Sequence, residues 1–187
     1  LPAEVAGALR AKDQAFRAKI VSVVTDFEAH ALWMEAAVDL YCVAAEETQA
    51  SLVARGADPA RVVVTGIPIG LRFARPIDAD AVRRQLGLRD DLPVLLVLAG
   101  GLGVGPMAKV LAEIDRVDAP PGFQVIAVTG RNEELRRDLA CRDYRHPVRV
   151  LGFAGNMQEL MAAATLIVTK PGGLTTSEAL AIGRPLM

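Results

Sequence analysis

The sequence predicts an α/β protein with parallel sheets covered by helices, organised as two units. Two observations carry this. Short β-branched or aliphatic runs, among them Ile20–Val24, Pro93–Leu98 and Thr165–Val168, alternate with stretches of helical periodicity, the pattern of strands that cannot pair without a crossover helix. That alternation is interrupted at Gly66–Asp78, GIPIGLRFARPID, where two glycines, two prolines and no sustained period mark a boundary, after which it begins afresh. A composition 52% hydrophobic and 23% charged over 187 residues is enough to build substantial cores.

Taken in order, Pro2–Lys19 places Val5, Leu9 and Phe16 among charged residues and predicts a helix with one buried face. Ile20–Val24 is the first strand. A loop, Phe27–Val38, holds His30, Leu32, Trp33 and Met34. Asp39–Ala44 is a strand, Glu46–Arg55 a helix stopped by Gly56, and Arg61–Thr65 a third strand. Beyond the boundary come a helix at Ala79–Leu86, a buried strand at Pro93–Leu98, a glycine loop at Gly100–Pro106 and a helix at Met107–Val117. Phe123–Val128, Asn132–Cys141, Val148–Leu151, Met157–Ala163 and Thr165–Val168 continue as strand, helix, strand, helix, strand, a doubly wound unit whose loops follow the carboxyl ends of its strands. The residues from Arg184 to Met187 begin a further strand, and the start on Leu1 predicts an internal piece of a longer protein.

Charge and composition exclude several classes. Lysine plus arginine, 21, nearly balance aspartate plus glutamate, 22, so the basic field that drives nonspecific nucleic-acid binding is missing. Cys42 and Cys141 stand far apart, in neither metal-ligand nor redox spacing, and read as reduced thiols of a cytoplasmic compartment. No apolar run approaches the ~20 residues that span a bilayer, so work on a membrane is expected from its surface. No Ser/His/Asp set, paired catalytic carboxylates or zinc spacing is visible, and the alternation of Asp26 and Glu28 fits a solvated loop.

The richest stretch is Thr169–Met187, TKPGGLTTSEALAIGRPLM. It reads as a strand end, a glycine turn and a helix facing a ligand. Gly172 and Gly173 allow positive φ and close approach of backbone to a bound group. Thr175, Thr176 and Ser177 supply hydroxyls where the chain enters the helix, and Glu178 stands at capping-box spacing from Thr175. A helix start of this kind is an anion site, and Lys170 adds a cation beside it. The same residues also fit an ordinary capped strand-to-helix turn. Glu178 is either a capping carboxylate or an acceptor for ribose hydroxyls.

The loop Gly100, Gly101, Leu102, Gly103, Val104, Gly105 follows the first strand of the second unit, where such sheets hold phosphates. It departs from the dinucleotide fingerprint, since Pro106 replaces its last glycine and the next strand ends in Thr129-Gly130-Arg131 with no ribose-binding acid. Phe153 either edges a planar base or packs in the core. His30 is open as a general base, an acceptor contact or a surface histidine, with a site-lining role favoured over a catalytic one, and Leu32, Trp33 and Met34 either enter the core or form an apolar platform for a lipid.

The ordered series VVTDFEAHALW, DLYCVAAEE, VVVTGIPI, LVLAGGLGVG, VTGRNEELRR and VLGFAGNMQELMAAATLIVTKPGGLTTSEALAIGRPL resembles the monogalactosyldiacylglycerol synthases and the related processive diacylglycerol glucosyltransferases. It is also similar to the peptidoglycan UDP-N-acetylglucosamine transferase that makes lipid II. The resemblance covers nearly the whole chain. It implies a GT-B fold of two Rossmann-like doubly wound domains, both incomplete here: residues 1–71 from the acceptor domain, 72–78 as linker, and 79–187 from the nucleotide-sugar donor domain.

It further implies an inverting, UDP-sugar-dependent hexosyltransferase that moves galactose or glucose to diacylglycerol at the cytoplasmic face of a membrane, with no cofactor and no metal. By the same resemblance the donor is held by Gly100, Gly101, Gly103 and Gly105 near the diphosphate and Phe153 near the uracil. Lys170, Gly172, Gly173, Leu174, Thr175 and Thr176 surround the phosphates and sugar, and Glu178 holds the ribose. His30 and Trp33 are the acceptor-side candidates. The general base belongs to a part of the family's acceptor domain that precedes this stretch, so these 187 residues are not expected to catalyse alone. The family often has proline after the loop histidine, where this chain has Ala31. Other readings are a transferase acting on an undecaprenyl-linked acceptor and a noncatalytic UDP-sugar-binding subunit.

Overall fold

The computed structural model describes residues 2–13, 15–101, 103 and 105–187. The chain divides into two compact units, Leu1–Ile69 with Gly172–Leu174, and Gly70–Pro171 with Thr175–Met187.

In the first unit, α1 (Pro2–Lys12), β1 (Val21–Val23), β2 (Leu40–Val43), α2 (Glu46–Ala54) and β3 (Val62–Val64) follow one another. The three strands form a parallel sheet in the order β1-β2-β3. Its core gathers Ile20, Val24, Val38, Tyr41, Val43, Leu52 and Val62. Burial of such aliphatic side chains contributes roughly 1.5–3 kcal/mol each and holds so small a sheet together. Asp39 fastens its edge: the carboxylate accepts from Arg10 Nη2 at 2.7 Å and from the Ile20 N–H at 2.8 Å, with Lys19 Nζ at 3.8 Å. The Arg10 hydrogen bond above all, and the Ile20 N–H next, hold this carboxyl down at about 2.

The helix expected over Pro2–Lys19 ends at Lys12. The Asp13 carboxylate accepts from the Ala15 N–H at 2.8 Å and the Asp13 carbonyl from the Phe16 N–H at 3.0 Å, a local turn that competes with helix continuation. Gln14, within the expected helix, lies outside the described residues.

The second unit contains α3 (Ala79–Gln85), β4 (Val94–Leu98), α4 (Met107–Asp115), β5 (Gln124–Val128), α5 (Glu133–Ala140), β6 (Val148–Leu151), α6 (Met157–Ala163), β7 (Leu166–Thr169) and most of α7 (Gly173–Ile182). The sheet is parallel throughout, in the order β6-β5-β4-β7. Leu186 bridges to Ile167 in parallel, so the strand expected near Arg184 does start beside β7. All five residues of β5 are buried, so Val125–Val128 is an apolar run without alternation, and the one polar residue, Gln124, donates its amide to the carbonyls of Arg89 and Leu92. The segment 72–78, expected as a linker, is packed as part of this unit: Phe73 is buried within a helical turn at Leu71–Ala74.

This order creates a switch point. From β4 the chain moves outward to β5 and β6, then returns across the sheet to β7 on the other side of β4. Loops leaving the carboxyl ends on either side of such a point diverge and open a crevice.

Candidate functional site

The strand register brings the candidate residues together. Leu98 pairs with both Val128 and Thr169, and Val128 pairs with Leu151. The four strands of the second unit therefore end in one row. The glycine loop, Gly130, Phe153 and Lys170 all follow that row within a few residues.

A cleft of about 150 Å³ lies there, lined among others by Gly100, Gly101, Gly130, Phe153, Thr175 and Glu178. Lys170 lies across its glycine loop: a Cβ placed on Gly100 would stand 3.1 Å from Lys170 Cε and 3.6 Å from Nζ. The ammonium is thus held beside backbone that carries no side chain, the arrangement that lets a diphosphate approach main chain and cation together.

Glu178 is half-buried on α7, and burial pushes its carboxyl above the ordinary glutamate value, an effect partly offset by the positive charge of Arg72. A carboxylate held among apolar groups and short of donors gains from any hydroxyl that reaches it. Phe153 is 66% exposed, so the core-packing alternative does not hold for it. The Arg131 guanidinium lies 5.5 Å from its ring centroid, close enough for a cation–π contact that steadies the ring.

Three expectations about the glycine turn need correction. Helix α7 begins at Gly173, two residues before Thr175, so Thr175 and Thr176 lie within the first turn and Thr175 does not cap it. The Thr175–Glu178 capping box is therefore not the entry device. Neither Gly172 nor Gly173 takes positive φ, whereas Gly100, Gly103 and Gly105 do, at 78°, 64° and 137°. The direction of a Cβ on Gly172 is open space, and Gly172, Gly173 and Leu174 group with the first unit. Leu102 and Val104 of the glycine loop lie outside the described residues.

Sequence reasoning passed over four residues. Arg72 acts on Glu178 and Arg131 on Phe153, both by long-range packing that spacing does not encode. Gly130 has φ 63°, and a Cβ on it would stand 2.5 Å from the Gly100 carbonyl oxygen and 2.7 Å from that of Gly101. Asn132 caps α5 by accepting from the Leu135 N–H and donates from Nδ2 to the Gly103 carbonyl at 3.1 Å. The available signal was the Thr129-Gly130-Arg131-Asn132 run directly after a buried strand.

In the first unit His30 is exposed and its Nδ1 accepts from the Leu32 N–H at 3.1 Å, starting a helical turn at Ala31–Trp33. Trp33, its ring centroid 6.2 Å from that of His30, is half-buried and packs against the core, while Leu32 is 72% exposed. Leu32 and Trp33 line a cleft of about 660 Å³ together with Phe16, Ile20, Val21 and Val23. Among the described residues no three His, Cys, Asp or Glu side chains gather as a metal site, and no helix is long and apolar enough to cross a membrane.

Parallel sheets covered by helices, with a cleft at a switch point, are the build of GT-B glycosyltransferases. Solved structures agree: HepE of Anabaena in complex with UDP has a TM-score of 0.63 at 18% identity, over 97% of this chain and 55% of that one. The MurG structure of Acinetobacter baumannii has a TM-score of 0.57 at 17% identity, over 96% of this chain and 48% of that one. The chain belongs to glycosyltransferase family 28. The profile of the glycosyltransferase family 28 C-terminal domain matches residues 94–187, and that of monogalactosyldiacylglycerol synthase matches residues 1–69. The processive diacylglycerol beta-glucosyltransferase of Bacillus pumilus is 34% identical over 168 residues, 89% of this chain and 43% of that protein. The probable monogalactosyldiacylglycerol synthase 2 of Oryza sativa subsp. japonica is 36% identical over 175 residues, 89% of this chain and 37% of that protein. The chain thus spans less than half the length of these curated relatives.

Proposed function

We propose that this chain is the donor-binding part, with a portion of the acceptor-binding part, of an inverting glycosyltransferase that moves a hexose from UDP-galactose or UDP-glucose to diacylglycerol. The observation that carries the reading is the cleft at the switch point of the second unit, where Lys170, the glycine loop and Glu178 meet. In the displacement, the acceptor hydroxyl oxygen attacks the anomeric carbon, the bond to the diphosphate oxygen breaks, and UDP departs with the electron pair. Charge grows on that departing diphosphate. The Lys170 ammonium, the Thr175 N–H at the start of α7 and the Thr175 and Thr176 hydroxyls are the groups proposed to stabilise it. With that charge so carried, no metal is needed. Glu178 is proposed to accept from the ribose hydroxyls and Phe153 to edge the uracil.

The first unit is assigned to the lipid side. The apolar cleft beside Leu32 and Trp33, with His30 at its turn, suits an acyl or glycerol contact, and the protein is proposed to work from the inner surface of a membrane. The general base is proposed to lie in a part of the family's acceptor domain that this chain does not cover, since it spans 43% of the Bacillus pumilus relative. Labelled UDP-glucose and UDP-galactose, offered with diacylglycerol in anionic vesicles to the full-length protein that carries this chain, test the reading. Label appearing in monohexosyldiacylglycerol supports it; label appearing only in an undecaprenyl-linked acceptor, or in none, refutes it.

A further inference from the structure

The glycine loop contacts the loop after β5 at every described residue from Gly100 to Gly103. The Gly100 carbonyl accepts from the Gly103 N–H at 3.0 Å, the Gly101 carbonyl from the Arg131 N–H at 3.2 Å, and the Gly103 carbonyl from Asn132 Nδ2 at 3.1 Å. Behind them the chain of Gly130 presses so closely that a Cβ would meet the oxygens of Gly100 and Gly101, and one on Gly103 would meet the Thr129 carbonyl oxygen and Asn132 Cβ.

A carbonyl oxygen facing a diphosphate repels it, whereas a peptide N–H attracts it. A glycine loop with no side chains to lock it samples both orientations unless something holds its carbonyls back. We infer that Asn132 is a positioning residue for donor binding: its amide N–H keeps the Gly103 carbonyl turned to the β5 loop, so the glycine loop meets the diphosphate with the carbonyls of Gly100, Gly101 and Gly103 already occupied. This rests on the UDP-sugar reading above for the ligand, while the tether itself does not. Its side-chain oxygen caps α5 by accepting from the Leu135 N–H at 2.9 Å, so one side chain fixes both the helix and the loop.

The two jobs can be separated. Asn132→Ser and Asn132→Asp both keep an oxygen able to cap the helix, and both lack the amide donor. In the full chain the Gly103 N–H donates to the Gly100 carbonyl and is exposed when the untethered loop loosens, so its hydrogen exchange is expected to rise about three- to tenfold in Asn132→Ser, where one neutral hydrogen bond to the Gly103 carbonyl no longer holds the loop, with exchange at Leu135 and Arg136 in α5 unchanged. UDP affinity is expected to fall by a similar factor and uridine affinity to stay the same. Asn132→Asp is expected to lose at least as much UDP affinity, since a carboxylate beside the Gly103 carbonyl opposes it. Unchanged exchange at Gly103, or equal losses for UDP and uridine, overturns the inference. A wild-type chain that binds UDP no better than uridine instead refutes the UDP-sugar reading, and exchange at Gly103 still decides the tether.

Discussion

Gly130→Ala probes the seat of the glycine loop directly. At φ 63° an alanine enters the left-handed region, which costs a non-glycine residue about 1–2 kcal/mol. Its Cβ would stand 2.5 Å from one carbonyl oxygen and 2.7 Å from another. Both belong to backbone, which cannot rotate aside as a side chain can, so the loop must move bodily; overpacking of this kind costs roughly 1–3 kcal/mol more. The sum is about 2–5 kcal/mol for the second unit. Gly155→Ala is the control, because Gly155 has no positive φ and a Cβ there meets nothing within 4 Å; its cost is expected within about 0.5 kcal/mol. Urea and thermal unfolding followed by far-ultraviolet circular dichroism measure both. Gly130→Ala should lower the melting temperature by at least about 4 °C while Gly155→Ala leaves it in place. Equal midpoints for the two variants would refute the interlocked arrangement of the loops.

Lys170→Ala is expected to weaken UDP about tenfold, as loss of one charge-assisted hydrogen bond does, and to leave uridine unaffected; calorimetry on both ligands checks this. Glu178→Gln should weaken UDP yet stabilise the ligand-free chain at neutral pH. The sign follows from the raised carboxyl value: as pH rises the unfolded chain ionises first, so stability falls between the ordinary glutamate value and the raised one. The gain from Glu178→Gln should therefore vanish in acid, as melting curves against pH will register. Asp39 works in the opposite sense. Its carboxyl is lowered from 3.8 to about 2, so its stabilisation is complete above the unfolded value and lost as pH falls through about 2. Asp39→Asn is expected to destabilise the first unit at neutral pH, followed through Trp33 fluorescence, with the difference from wild type shrinking below about pH 4.

The central strand β4 was legible because a parallel strand buried on both faces reads as a continuous apolar run, and the flanking strands and most helices because apolar runs alternate with helical periodicity. Val148–Leu151 and Met157–Ala163 coincide with the expected bounds. The tail of α1 was not, since the Asp13 side chain diverts the backbone where periodicity alone continues. The start of α7 at Gly173 was missed for a related reason: glycine disfavours helix by propensity, and tertiary context overrides it here. Of the site, the residue types were readable and their convergence was not. That Lys170 reaches Gly100 depends on β7 pairing with β4 across the switch point, an order that no local spacing specifies. Asn132 was read only as the first residue of a helix, because its second hydrogen bond joins loops 29 positions apart.

Calorimetric titration of the chain with UDP, GDP and NADH in parallel bears most directly on a uridine-diphosphate site at the switch point. Selective binding of UDP, reduced by Lys170→Ala, is the expected result. Equal affinity for all three nucleotides, or none for UDP by a folded sample, would contradict it.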